Sequence, residues 1–333
     1  KLPGHLAAGE AFRVDWRAAL GGTTQHKRIV AAPGAKDGRI YVIDANQKVW
    51  AFDAESGRSV WERQLEAVNP KHDNHAVGGG IAIAGDRLIV TSGFAYIEAL
   101  SLTDGSQLWH RRVESPMSGS PAILGNRAFV TSSNNEFYAM DVANGEIIWS
   151  DQAIAESARV LSSPSPAVTN DILVVPFSSG ELIAYLPANG KRLWQDTLTT
   201  LSRYTPLSAI NDIAGRPSIE DGVIYAASHS GVLAGIDARS GARIWEAPFG
   251  SRLGPVIGGE FLFIVGTGGK VACFNKIDGK LIWVRDLPEF RNPDQKKNRI
   301  VWTGALIASK RLVIASSEGD VIALSPQNGE TVA

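Results

Sequence analysis

The chain has 333 residues, with 33 lysines and arginines against 34 aspartates and glutamates and a formal net charge of -1. That balance gives no electrostatic footprint for nucleic acid, so no nucleic-acid partner is expected, while 44% hydrophobic and 20% charged residues exclude a disordered chain. No apolar run reaches the roughly 18 residues a helix needs to span a bilayer, and Cys273, the only cysteine, cannot form an intrachain disulfide.

The first strand-like run, Val14-Asp15-Trp16-Arg17, stands alone and reads as the outermost strand of a blade whose other strands come from the C-terminal side. A repeat follows. Val49-Trp50-Ala51-Phe52-Asp53 leads to Gly57 and, four positions later, Trp61. The same spacing recurs at Gly105 and Trp109, Gly145 and Trp149, Gly190 and Trp194, Gly241 and Trp245, and Gly279 and Trp283. Gly329 keeps the glycine place, with Ala333 where tryptophan would stand. The units average about 45 residues, the length of a propeller blade.

The third unit shows how a blade is written. Ser118-Gly119-Ser120-Pro121-Ala122-Ile123 suits a short inner strand, and Arg127-Ala128-Phe129-Val130-Thr131 suits the second. Glu136-Phe137-Tyr138-Ala139-Met140 and Glu146-Ile147-Ile148-Trp149 complete it, with Asn and Gly at the turns. Third strands of the seven units are expected at residues 42–50, 96–100, 137–140, 182–185, 232–236, 271–274 and 321–324. Pro121, Pro166, Pro217 and Pro255 recur at the innermost strand, where a missing N–H breaks no ladder. The fold class is therefore all-β: a β-propeller of four-stranded antiparallel blades, seven units being visible in a single domain over 1–333, with a short N-terminal extension and an incomplete final blade. Each repeated tryptophan is expected to pack between adjacent blades and offer its indole N–H to a backbone acceptor.

Function is sought in the long connections from one outer strand to the next inner strand, residues 63–78, 150–165, 195–216 and 286–303. The stretch 201–214 mixes apolar residues with Arg203, Asn211 and Asp212 and suits either a binding edge or a helical or irregular segment packed down on the rim. His72 and His75 flank Asp73 at a metal-ligand spacing, but a polar loop with no third cluster does not make a site. His5, His26, His110 and His229 read as surface or rim residues, and Cys273 as a buried packing residue. Asp53, Asp141 and Asp237 fall at turns where a carboxylate caps backbone N–H groups. No G-x-S-x-G, P-loop or H-E-x-x-H pattern occurs, and Gly266, Gly268 and Gly269 form a turn outside any βαβ context. No catalytic residue, cofactor or metal is therefore expected.

Runs such as Ala51-Phe52-Asp53-Ala54-Glu55-Ser56-Gly57-Arg58-Ser59-Val60-Trp61 resemble the repeats of pyrroloquinoline-quinone-type propellers. That superfamily holds quinoprotein alcohol dehydrogenases and the outer-membrane assembly lipoproteins of the BamB family. Leu207-Ser208-Ala209-Ile210-Asn211-Asp212-Ile213-Ala214-Gly215-Arg216-Pro217 resembles the BamB segment before the fifth blade, and the runs 222–226 and 231–241 that follow are similar too.

The resemblance implies an eight-bladed, non-enzymatic lipoprotein on the periplasmic face of the outer membrane. It would bind the POTRA domains of BamA within the Bam complex and assist assembly of outer-membrane protein clients. It also implies an upstream lipid-bearing cysteine as membrane anchor, and an eighth blade mostly beyond Ala333. Partner contacts would come from two neighbouring loops. The first falls on Ala158, Val160 and Leu161, with Arg159 close to the arginine register; the second falls on Asn211, Asp212 and Ala214, where one acid of the family pair is kept and the other replaced. The alternatives are a quinone-dependent dehydrogenase or another envelope protein-binding propeller. A dehydrogenase of that superfamily often carries adjacent cysteines beside its quinone, whereas this chain has one cysteine.

Overall fold

Short runs of β-branched and aromatic residues, punctuated by Gly, Asn and Asp, cannot continue as long strands and instead fold back at every turn. In a computed structural model of the chain, which describes residues 13–20, 31–67, 78–117, 119–153, 164–199 and 212–333, these runs build successive antiparallel sheets. Blade one comprises Gly34–Lys36, Arg39–Ile43, Lys48–Asp53 and Ser59–Gln64; blade two comprises Gly79–Ala84, Arg87–Ser92, Tyr96–Ser101 and Gln107–Arg112. Blade three comprises Ala122–Leu124, Arg127–Thr131, Glu136–Asp141 and Ile147–Gln152; blade four comprises Ala167–Val168, Leu173–Pro176, Glu181–Tyr185 and Arg192–Thr197. Blade five comprises Ser218–Glu220, Val223–Ala227, Val232–Asp237 and Arg243–Pro248; blade six comprises Val256–Gly258, Phe261–Gly266, Lys270–Asn275 and Leu281–Asp286. Blade seven has three strands, Leu306–Ala308, Arg311–Ala315 and Val321–Leu324, extended by a bridge from Leu324 to Thr331.

The chain divides into two compact units, Val14–Ser179 with Ile183–Leu193, and Lys1–Arg13 with Gly180–Leu182 and Trp194–Ala333. In each unit the middle strands of a blade are buried, because neighbouring blades cover both faces. Leu88 and Val90 of blade two pack with Tyr41 and Val49 of blade one, while Ile89 and Ile97 pack with Val130 and Met140 of blade three. In the other unit, Tyr225 and Leu233 pack with Ile264 and Ala272, and Phe263 and Cys273 with Leu312 and Ile314.

The glycine-to-tryptophan repeat has a direct geometric meaning. Trp61 of blade one lies under Gly105 of blade two, so close that a Cβ there would stand 2.6 Å from the indole, and Gly105 has φ +72°. The indole N–H donates to the carbonyl of Leu102, three residues before that glycine, at 3.1 Å. Trp109, Trp194, Trp245 and Trp283 make the same bond to Val142, Ala238, Lys276 and Pro326 at 2.8–2.9 Å. Trp16 does so too: it lies under Gly57 and donates to Ala54 at 2.9 Å. Trp16 thus fills the outer-strand tryptophan's place, although residues 13–20 form no regular strand where one was expected.

Trp149 differs. It lies under Gly190, but its buried N–H finds no acceptor. Its counterpart carbonyl, Pro187, takes Arg127 at 2.7 Å instead. On the sheet side, a small residue faces most of the tryptophans: Ala51 pairs with Trp61, Ala99 with Trp109, Ala139 with Trp149, Gly235 with Trp245 and Cys273 with Trp283, each beside a bulge. Cys273 is therefore the small residue its blade needs, and burial pushes its thiol pKa up to about 12.

Two other expectations are sharpened. The first third strand is Lys48–Asp53, not 42–50, because Val42 belongs to Arg39–Ile43 and the Asp44 carboxylate caps the turn at Asn46 and Lys48. The connection 286–303, expected as a loop, carries a two-stranded ribbon, Phe290–Asn292 with Lys297–Arg299, around a 3-10 turn at Pro293–Gln295. The four prolines directly precede inner strands as expected. Asp53, Asp141 and Asp237 cap the expected turns through the N–H groups of Ser56, Ala143 and Ser240.

Gly105→Ala should destabilise the chain by about 2–4 kcal/mol, from the left-handed backbone and the clash with Trp61. Gly125→Ala, equally left-handed but with open space around it, should cost about 1 kcal/mol. Urea unfolding midpoints compare the two, and equal shifts would dismiss the tryptophan contact as the cause. Trp149→Phe should cost about 1 kcal/mol less than Trp109→Phe, since it removes no bond and relieves an unsatisfied donor.

Candidate functional site

The loop end of five blades, one to four and six, is built by backbone bonds. The residue leaving an outer strand bonds the turn between the second and third strands: Leu65 to Gln47, Val113 to Ala95, Ala153 to Asn135, Leu198 to Gly180 and Leu287 to Gly269. These bonds hold the long connections beside the turns of the same blade. Two turn residues extend the ties to the next blade. Gln47, in left-handed backbone with φ +60°, is buried; its amide donates to Gly78 at 2.9 Å and accepts from Ser92 at 3.2 Å and Gly93 at 3.0 Å. Asn135, with φ +58°, accepts from the Ser178 hydroxyl at 2.7 Å and the Ser178 N–H at 3.2 Å. Sequence reading missed both, although an Asn or Gln just before a strand, where blades four, five and six have Gly180, Gly231 and Gly269, signals a left-handed turn position.

Of the predicted contact residues, Ala158, Arg159, Val160, Leu161 and Asn211 lie outside the described residues, as do His72, His75 and most of 201–214. Asp212 and Ala214 are described, and both are buried. The Asp212 carbonyl accepts from the His229 N–H at 2.8 Å. The next residues run against the start of blade six so closely that a Cβ on Gly215 would stand 2.1 Å from the Gly254 nitrogen, and one on Gly254 only 1.9 Å from the Arg216 carbonyl oxygen. Partial desolvation by the surrounding chain pushes the Arg216 guanidinium pKa down, although the residue itself stays exposed. Half-buried His229 is lowered by burial first, then by the charges of Arg252 and Arg299. This stretch is the root of a loop, locked to blades five and six, rather than an exposed rim.

A second group of titratable residues joins blades one and two. The Glu98 side chain is only 3% exposed, with Arg63 Nε at 3.5 Å and His110 Nδ1 at 3.7 Å. Burial pushes the Glu98 carboxyl up, while Arg63 and then His110 pull it back without cancelling the rise. The Tyr96 ring lies tilted at 39° against His110 with centroids 4.4 Å apart, and Arg63 reaches Gln107 at 2.9 Å. The chemistry on offer is charge pairing across a blade contact. Cys273, shut behind Trp283 with its pKa raised, has no thiolate to offer near neutral pH.

A raised carboxyl favours the protonated folded chain, so the stability due to Glu98 is complete below the ordinary carboxylate pKa and is lost as pH rises through the raised value. Thermal unfolding of Glu98→Gln should therefore lose less stability than the parent between about pH 4 and pH 7. Parallel melting curves across that range would show that Glu98 does not titrate in the fold.

Comparison with known proteins gives a consistent answer. A family model described as outer membrane protein assembly factor BamB matches residues 9–73 and 64–285. The factor of that name from Moranella endobia is 24% identical over 322 residues, covering 90% of this chain and 83% of the relative. That from Escherichia coli K12 is 26% identical over 303 residues, covering 90% and 75%. Among solved structures, BamB from Moraxella catarrhalis superposes with a TM-score of 0.76 at 18% identity, covering 91% of this chain and 86% of that one. A quinohemoprotein alcohol dehydrogenase from Pseudomonas putida HK5 superposes with a TM-score of 0.69 at 12% identity, covering 92% and 66%. At such identities the structural likenesses show the fold, a β-propeller.

Proposed function

The chain belongs to the family of the outer membrane protein assembly factor BamB, and from that premise we propose that it is a non-enzymatic scaffold of the outer-membrane β-barrel assembly machinery. Its partner is the set of POTRA domains of BamA, and its place is the periplasmic face of the outer membrane, held by an upstream lipid anchor. The observation that carries this reading is the family match itself, which spans residues 9–73 and 64–285 and so includes both candidate loops. The packing supports it. Loops tied to the turns of rigid blades present a partner with a surface of fixed shape, which lowers the entropy lost on binding.

The seven residues take different parts in this proposal. Ala158, Arg159, Val160 and Leu161 form the apolar contact with a basic member, and Leu161 is its anchor. Asn211 belongs to the second loop. Asp212 and Ala214, being buried, hold the base of that loop in register rather than touch the partner.

Capture on immobilised BamA POTRA domains tests this directly. Leu161→Asp should weaken binding about tenfold or more, the cost of putting a charge into an apolar hot spot. Asp212→Asn should weaken it less and also lower the melting temperature, as a positioning role requires. No capture of the parent chain would reject the partner; capture unchanged by Leu161→Asp would reject the surface.

A further inference from the structure

The connections between blades differ in charge. Those leaving blades one, two and three, residues 65–78, 113–121 and 153–166, hold two lysines and arginines against four acids. Those leaving blades four, five and six, residues 198–217, 249–255 and 287–305, hold seven lysines and arginines against three acids. A chain of net charge -1 thus gathers cations at one set of loops, and such a local field selects partners of opposite sign.

Part of that charge converges on His229, in the turn between the second and third strands of blade five. The connection after blade five lies against this turn. Ser251 N–H donates to the Ser228 carbonyl at 3.0 Å, and a Cβ on Gly250 would stand 3.0 Å from the His229 carbonyl oxygen. Arg252 comes next, and the ribbon after blade six brings Arg299, so that both guanidinium charges act on the His229 ring. Among the described residues no carboxylate acts on the ring against them. Asp212 meets His229 through its backbone carbonyl, and Glu289 sits on Arg299 at 3.1 Å. His229 Nδ1 is buried with no hydrogen-bond partner among the described residues, so surrounding charge rather than a bond governs its proton. The ribbon extends the cationic surface. Residues 291–299 are all exposed, yet its base is fixed, where Ile300 N–H donates to Glu289 at 2.8 Å and the Trp302 indole to Pro288 at 2.9 Å. Arg291 pairs with Glu318 at 3.3 Å, whereas Lys296 and Lys297 have no acid partner among the described residues.

We propose that the loop end of blades five and six binds an acidic segment of a partner protein, its carboxylates received by Arg252 and Arg299 beside His229 and by the ribbon lysines. Guanidinium groups take carboxylates through paired hydrogen bonds and lysines take them as point charges. Cations spread over a connection and a ribbon suit several carboxylates on one chain better than a single small anion. Glu289 and Asp294, set among them, thin the positive charge below what a phosphate backbone or a lipid surface calls for. The arrangement also couples binding to a proton. In the free chain burial, then Arg252 and Arg299, hold the His229 pKa below its ordinary value. A carboxylate between the two guanidinium groups cancels their part and raises that pKa, so affinity grows as pH falls through the value in the complex. The site adjoins the root of the second candidate loop at Asp212, but it does not require BamA to be the partner.

The test uses the whole chain and a rhodamine-labelled hexaglutamate peptide followed by anisotropy at low salt. Saturable binding is expected below about 1 mM, weakening about threefold or more at about 0.15 M salt. Arg299→Gln should weaken it about threefold. Because that change also frees Glu289, Lys297→Gln, at an exposed residue without an ion pair, checks the result and should weaken binding about twofold. Arg239→Gln is the control: it removes the same charge from the opposite end of the same blade, about 20 Å along the strand Val232–Asp237, and should change nothing. From about pH 8 to pH 6 the parent should gain about threefold in affinity, and His229→Gln should gain nothing. Absence of binding would overturn the proposal, as would equal loss in Arg239→Gln or a pH gain kept by His229→Gln. Displacement of the peptide by about 5 mM inorganic phosphate at constant ionic strength would assign the site to a small anion and overturn it as well. Hexaglutamate carries no BamA sequence, so failure here leaves the capture result untouched.

Discussion

The structure depends on one contact repeated from blade to blade: an indole laid under a left-handed glycine of the next sheet. The contact binds both residues to their identities. Any Cβ at Gly105 or Gly145 would enter the ring of Trp61 or Trp109, and a smaller residue than tryptophan would leave the glycine turn uncovered. Burying an indole of roughly 200 Å² is worth about 5 kcal/mol as an upper estimate. Its N–H also satisfies a turn carbonyl that would otherwise point into the contact. The interaction is heterologous, so each turn is completed by the preceding unit. Trp16 obeys the same rule for blade one, which shows that the tryptophan, more than a regular outer strand, is what the turn requires.

Polar groups supply specificity where this contact cannot. Gln47 and Asn135 tie the turn of one blade to the turn of the next, in backbone conformations usually left to glycine. Arg127 shows the competition such groups create: it takes the Pro187 carbonyl and leaves the Trp149 N–H without an acceptor. In blade two, by contrast, the Leu102 carbonyl serves both Arg39 and Trp61. Glu98 is the costliest of these devices, a buried carboxyl held between Arg63 and His110. Together they fix the ends of the blades from which the long connections leave, so that those connections start from a stiff base.

The outer strands show a different balance. Their position before the tryptophan is apolar and exposed in every described case from Val60 to Ile282, so that residue alone says little. Ile147 of blade three and Leu281 of blade six interrupt the polar pairing that Gln107, Arg192 and Arg243 make with the preceding outer strand, and of blades one to six only blade six has an apolar residue, Val284, directly after its tryptophan. The bulge beside each of these tryptophans twists the edge and keeps it from offering a regular ladder.

The amino-acid sequence by itself determined the blades, because the period of the glycine-to-tryptophan repeat and the turn residues act locally and over one neighbouring unit. Most strand positions, the role of the tryptophans, the prolines before inner strands and the capping by Asp53 and Asp237 were legible for that reason. Only tertiary structure decided that Asp212 is a buried residue at the root of its loop, that residues 286–303 carry a ribbon, and that Cys273 faces Trp283. It likewise decided which outer strands are linked by polar pairs such as Asp151 with Arg192, which stand 41 positions apart. Burial and side-chain pairing across blades depend on which residues the fold brings opposite each other, and no local pattern states that.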